Sequence, residues 1–268
     1  MYYIIILLYR MIIGIYGLFI NKYIIYLEHF LKNIKKNCLP KYKKIFFIVT
    51  NKENEIIVKK YKKLYNITYF LTDYIGWPYE TLYKLHYFSF FNNNIIQKCK
   101  YIFLLNSNII FRKKCQEEIL PDKRGYVFVL HSTQSKISNT LQLKSIENNK
   151  NSTCYLSPRK NFKYIIGGFF GCETNNFKIL CKTISNDIFQ NEKNNYITIW
   201  HDETHLNYYV NNILKNNVKY LSILYHGFGN SINNKVDFLK KNLHKVHKPV
   251  NHTYGKVIKN KYNYNIIK

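Results

Sequence analysis

Hydrophobic and polar positions along this chain alternate between two periods. Short apolar runs bounded by turn residues predict strands at "MIIGIYG" (11–17), "KIFFIVTN" (44–51), "ITYFLTD" (67–73), "GYVFVLHS" (125–132) and "YIIGGFFGC" (164–172). "KYIFLLNSNIIF" (100–111) reads as a strand with a polar break at Asn106, and "VKYLSILYH" (218–226) as a last strand. Helical spacing lies between them. Ile24, Leu27, Phe30, Leu31 and Ile34 share one face of segment 23–37. Segment 78–95 has helical periodicity and opens on Pro78, a good first-turn residue. Segment 176–192 is an amphipathic helix, and 198–214 begins as a loop and becomes a helix. Residues 133–153 are polar and read as a mobile loop. Strands alternating with helices predict an α/β layered domain with a mostly parallel sheet. Such sheets bind ligands at the carboxyl ends of their strands. Here those ends read "FINKY", "NSN", "HST" and "HDET".

The two ends of the chain differ from its middle. The first 10 residues are an apolar leader of unclear role. Residues 2–20 are long enough to span a bilayer. However, Arg10 falls mid-segment, where insertion costs about 2.5–3.5 kcal/mol, and Gly14 and Gly17 interrupt the run. A strand starting near Met11 is the better reading. Residues 11–233 then form the main domain, and 234–268 a basic tail.

Composition changes this picture in one respect. The 268 residues are 47% hydrophobic, enough for a real core, but the formal net charge is +26. Such a charge suggests a basic binding protein for nucleic acid or an anionic membrane, without catalysis. Only Arg10, Arg112, Arg124 and Arg159 are arginines, so 37 of the 41 basic residues are lysine. Base readout and phosphate clamping favour arginine, which argues against nucleic acid. Lys, Asn, Ile, Tyr and Phe all have A/T-rich codons, and that bias alone yields this balance. Six dispersed cysteines without a C-x-x-C pair read as free thiols in a reducing, cytoplasmic setting. Peripheral membrane association stays open.

The chemistry-bearing stretch is "WHDETHLN" (200–207). His201 and His205 stand four apart, as in the H-E-x-x-H zinc helix, but Glu203 comes one residue late. That offset turns the carboxylate by about 100° around a helix, so a zinc protease is rejected. Asn106 and Asn108 flank Ser107 at a strand end. Nucleotide-sugar transferases carry D-x-D at such a spot; neutral amides are poor ligands for a hard cation. "GGFFG" (167–171) permits close approach to a backbone. An aromatic ring beside carboxylates and imidazoles suits a sugar, and a carboxylate can stabilise or attack an oxocarbenium-like centre.

In order, "LFINKY" (18–23), "FFIVTN" (46–51), "NSN", Leu130–His131, "STCYLSP" (152–158), "GGFFG" and "WHDETHLN" resemble the motifs of the family 6 glycosyltransferases. This is the family of blood-group A and B transferases, α-1,3-galactosyltransferases and bacterial relatives. The resemblance implies a GT-A type fold and a hexosyltransferase that uses a UDP-sugar with retention of configuration. It makes Glu203 the catalytic carboxylate. It assigns the acceptor to His131, Trp200, His201 and Glu203, the donor sugar to Asp202, and the uridine to Ile20 and Tyr23. Asn106 and Asn108 would lie by the diphosphate, and Lys22 and Lys256 would neutralise it, the tail closing over the UDP. Lys84 stands where the family has arginine. Ile166, Gly167 and Gly168 align with the segment that chooses GalNAc or Gal, and Gly168 leaves room for an N-acetyl group. The N-x-N form is that of bacterial-type members and implies catalysis without a divalent metal. UDP-GalNAc or UDP-Gal and a galactoside-ended glycan are the implied partners. No role beyond the helix is assigned to His205.

Overall fold

The computed structural model describes residues 11–132, 146–157, 162–225 and 235–238. The leader 1–10, most of the polar loop 133–153, Lys256 and nearly all of the tail lie outside them.

The strands are β1 (Ile12–Leu18), β2 (Lys43–Asn51), β3 (Ile67–Thr72), β4 (Tyr101–Leu105), β5 (Ile109–Phe111), β6 (Tyr126–Leu130), β7 (Ile165–Glu173), β8 (Lys219–Leu221) and β9 (Val236–Phe238). Seven form one sheet in the order β3-β2-β1-β4-β7-β6-β8. All neighbours pair in parallel except β7, which runs antiparallel to both β4 and β6. The expected α/β fold with a mostly parallel sheet is therefore present.

Period-2 alternation explains why both faces are covered. Along β1, Ile13 and Ile15 face one core with Leu27, Phe30, Leu31 and Ile34 of α1 (Leu27–Asn37). Tyr16 faces the opposite core with Leu82, Phe88, Phe177 and Leu180. The last two belong to α6 (Thr174–Lys193). The spacing 27, 30, 31, 34 is the one-sided helical stripe that the sequence predicts. Between these helices, α2 spans Glu55–Lys62.

Several predicted elements come out differently. The strand expected over 100–111 is divided at its polar break into β4 of the main sheet and β5 of a separate two-stranded sheet. Segment 78–95 is not one helix but α3 (Tyr79–Leu82), α4 (Lys84–Tyr87), a 3-10 turn and α5 (Asn93–Ile96). Phe91 takes an extended conformation, and its ring packs on Phe47 of β2. Asn92 Oδ1 then accepts the Asn94 N–H at 2.8 Å and starts a new helix. Apolar residues at helical spacing thus serve separate turns. The last strand ends at Leu221, because Tyr225 folds back to meet Lys235 (2.9 Å). Residues 146–153, expected in the loop, are packed: Glu147 is fully buried and accepts from Tyr196 Oη (2.8 Å) and Asn149 N–H (3.0 Å). The start of the tail also has structure, since β9 pairs antiparallel with β5 and Asp237 ion-pairs with Arg112.

Candidate active site

Reversal of β7 brings the predicted site residues together. The parallel strands end at one edge of the sheet, where β1 leads to Ile20, β4 to Asn106 and β6 to His131. Because β7 runs the other way, its beginning lies at that same edge, with Leu105 opposite Phe169 and Leu130 opposite Ile165. The Asn106 N–H donates to Gly168 C=O at 2.9 Å, and the Ile109 N–H to Asn106 C=O at 3.0 Å. The N-x-N turn, with Asn108 inside it, therefore sits against the paired glycines. His131 continues the ladder, its N–H donating to Tyr164 C=O at 2.9 Å.

Helix α7 (Asp202–Tyr208) brings the acids to this edge. Two asparagines dock it on the approach to β7. Asn207 both accepts the Ile165 N–H (2.9 Å) and donates to Ile165 C=O (3.0 Å). Asn211, one turn later, does the same for Lys163 at 3.1 Å each way. Amide side chains thus stand in for a neighbouring strand. The helix begins at a strained residue, His201, with φ 52° and ψ −127°. That is the first central position of a type II′ turn, closed by the Glu203 N–H on Trp200 C=O at 3.1 Å. A residue with a side chain holds this conformation only where its surroundings enforce it. Here the Thr198 hydroxyl donates to His201 C=O (2.9 Å), the Trp200 N–H donates to Thr204 Oγ1 (2.9 Å), and the His201 ring meets Trp77 edge-on at 4.8 Å.

The Gly167 peptide joins the acids. Its N–H donates to Glu203 Oε2 at 2.6 Å, and its C=O accepts from Lys84 Nζ at 2.9 Å. Lys84 Nζ is also 2.6 Å from Asp202 Oδ2, both side chains being buried. Tyr164 Oη donates to Glu203 Oε1 at 2.9 Å. Asp202 is buried, and Glu203 is partly buried as a residue. Burial pushes both carboxyls above their ordinary range. Lys84 opposes that rise at Asp202; at Glu203, Gly167 and Tyr164 oppose it while the Asp202 charge adds to it. Burial lowers His131 to about 4, so its ring is neutral at pH 7. A carboxylate fixed by two donors beside a buried ion pair is suited to meeting a developing positive charge.

The sequence profile of glycosyltransferase family 6 matches residues 4–252. The chain belongs to glycosyltransferase family 6. Among its relatives, the O-antigen biosynthesis glycosyltransferase WbnI of Escherichia coli is 28% identical over 203 residues, 74% of this chain and 82% of that protein. The histo-blood group ABO system transferase 1 of Rattus norvegicus is 23% identical over 202 residues, 74% of this chain but 56% of its own length. The protein is thus a glycosyltransferase of hexosyltransferase class, with a sheet consistent with the GT-A type.

In this family 6 member, Lys84, Gly167, Asp202 and Glu203 converge, with Gly168, Asn106, Asn108, His131, Trp200 and His201 bordering them, whereas the Ile166 side chain is buried in the core. Lys22 belongs to a different cluster, a cavity of about 380 Å³ at the ends of β1 and β2 lined also by Asn21, Asn51, Asn54 and Tyr74. Tyr23 is exposed beside Tyr26, while the Ile20 side chain is buried in the core. Tyr164 is the site residue that sequence reasoning missed. The available signal was its place directly ahead of the "IIGG" segment that opens β7. Glu147 was missed too; its carboxylate accepts the Ile199 N–H at 3.3 Å just ahead of Trp200.

Proposed function

We propose that this glycosyltransferase moves GalNAc or Gal from a UDP-sugar to a galactoside-ended glycan in α-1,3 linkage, with retention and without an obligatory divalent metal. The observation that supports it most is Glu203, its two carboxylate oxygens held by Tyr164 Oη and the Gly167 N–H directly beside the Asp202–Lys84 pair. As the bond from the anomeric carbon to the diphosphate breaks, its electron pair leaves on UDP. Glu203 then faces the developing cation, and the acceptor hydroxyl bonds to the anomeric carbon on the face that UDP left, giving its proton to the departing diphosphate. Asp202, fixed by Lys84, would orient the donor sugar. His131, Trp200 and His201 would hold the acceptor, with Ile20 and Tyr23 at the uridine.

Asn106 and Asn108 supply amides rather than charges near Gly168, so lysines, Lys22 and Lys256 among them, would balance the leaving diphosphate. The relatives' names, O-antigen biosynthesis and histo-blood group transferase, agree with a glycan acceptor. No helix among the described residues is long and apolar enough to cross a membrane. A cytoplasmic enzyme that meets anionic membrane through its lysines fits the net charge of +26.

The test is UDP release from UDP-GalNAc and UDP-Gal over a glycan array in EDTA. Turnover in EDTA should gain nothing from Mn²⁺. Full recovery that depends on Mn²⁺ would refute the metal-free reading.

A further inference from the structure

One turn beyond the acids, α7 turns a different residue inward. His205 is fully buried, and its Nδ1 lies 2.7 Å from the Sγ of Cys154. Asp187 of α6 joins them, and ligand atoms of all three lie within 4.8 Å of one another. Nothing in sugar transfer uses this group. Among the described residues, no lysine or arginine lies within ion-pair distance of Asp187, although it is half-buried.

The loop that carries Cys154 is stitched to α6. The Thr153 N–H donates to Asn191 Oδ1 (2.9 Å) and its hydroxyl to Asp187 C=O (3.1 Å). Ser152 Oγ accepts from Asn191 Nδ2 and from the Cys154 N–H, each at 3.2 Å. The thiol is therefore fixed against α6 by contacts that do not involve sulfur. That is the support an ion site needs around its direct ligands.

We propose that Cys154, Asp187 and His205 bind a zinc ion that clamps α6, the Cys154 loop and the catalytic helix α7 together. The donor set selects the ion. Thiolate, imidazole and carboxylate are all zinc ligands, whereas magnesium and calcium take oxygen alone. Charge agrees as well: a dication with one thiolate, one carboxylate and a neutral imidazole sums to zero, so the loaded site avoids the cost of a net buried charge. Zinc–sulfur and zinc–nitrogen bonds of about 2.3 and 2.0–2.1 Å at a tetrahedral angle place sulfur and nitrogen about 3.5 Å apart. Cys154 and His205 need to part by less than about 1 Å to admit the ion. Water would fill the fourth position. The clamp is separate from the diphosphate site by the N-x-N turn, and its ion would brace Asp202 and Glu203 from behind.

The experiment uses the full chain, stripped with chelator in a thiol-free reductant and without UDP-sugar, so that its outcome is independent of the transfer reaction. Titration with Co²⁺ should give a thiolate-to-metal charge-transfer band that saturates at one ion per chain and is displaced by Zn²⁺. Zn²⁺ should raise Tm, and Mg²⁺ should not. Cys154→Ser should abolish the band, and Cys38→Ser should keep it. Asp187→Asn should weaken binding at least about tenfold, since losing even an outer-shell partner costs about 10–100-fold. No band and no zinc-dependent Tm shift in the wild-type chain would overturn the proposal, whatever the variants do. So would an undiminished band in Cys154→Ser, or equal protection by Mg²⁺.

Discussion

Glu203 and Asp202 are adjacent in sequence yet differently placed. Asp202 is paired with Lys84, while Glu203 is held by two hydrogen-bond donors, Tyr164 Oη and the Gly167 N–H. The Tyr164 hydroxyl stabilises the ionised form of Glu203, so Tyr164→Phe should move its carboxyl, already above 4.5, further upward. The proposed chemistry needs the carboxylate, so activity in the variant should fail at a higher pH. Losing a hydrogen bond to a charged group should shift the acid limb of the kcat profile up by about one pH unit. An unmoved acid limb would mean that Tyr164 does not support Glu203. Lys84→Met should instead cost stability, about 3–5 kcal/mol in urea unfolding, because it leaves the Asp202 carboxylate buried alone. The acid pair was legible in the sequence, because "WHDETHLN" is a compact motif. The donors to Glu203 were not. Tyr164 and Gly167 reach it across 39 and 36 residues of sequence, and no local pattern encodes that pairing.

Strand β7 sets the site at the scale of elements. Its reversed direction carries Ile166, Gly167 and Gly168 to the edge where the parallel strands end, and the Asn207 and Asn211 amides fasten α7 to its approach. A Cβ on Gly167 would stand 3.2 Å from both Asp202 Oδ2 and Glu203 Oε2, so the carboxyls would have to yield by tenths of an ångström. Gly167→Ala should lower kcat by about 10–100-fold while Tm changes little, since small misplacement of reacting groups is costly to rate. A loss of fold with no specific loss of rate would remove Gly167 from the site. The strands of the main sheet were legible from period and bounding turns, and α1 and α6 from their stripes, but the separate β5–β9 pair was not. Segment 78–95 was not: Phe91 points to β2 through an extended residue, a tertiary demand that overrides helical spacing.

For the whole molecule, fold class was the most legible property, because strand–helix alternation leaves few arrangements. Charge was the least informative: +26 suggests polyanions, yet Lys84, the lysine at the centre of the site, is buried and paired internally. The antiparallel place of β7 between β4 and β6 could not be read locally either, since a long intervening segment separates β6 from it and two strands separate β4 from it in the chain. The central claim is that Glu203 performs the sugar transfer, and the measurement that bears on it most directly compares wild type with Glu203→Gln for UDP release and for UDP affinity by calorimetry. Turnover should fall by about 100-fold or more, the scale of losing a group that stabilises a transition-state charge, with UDP affinity unchanged. Wild-type turnover in Glu203→Gln would contradict it.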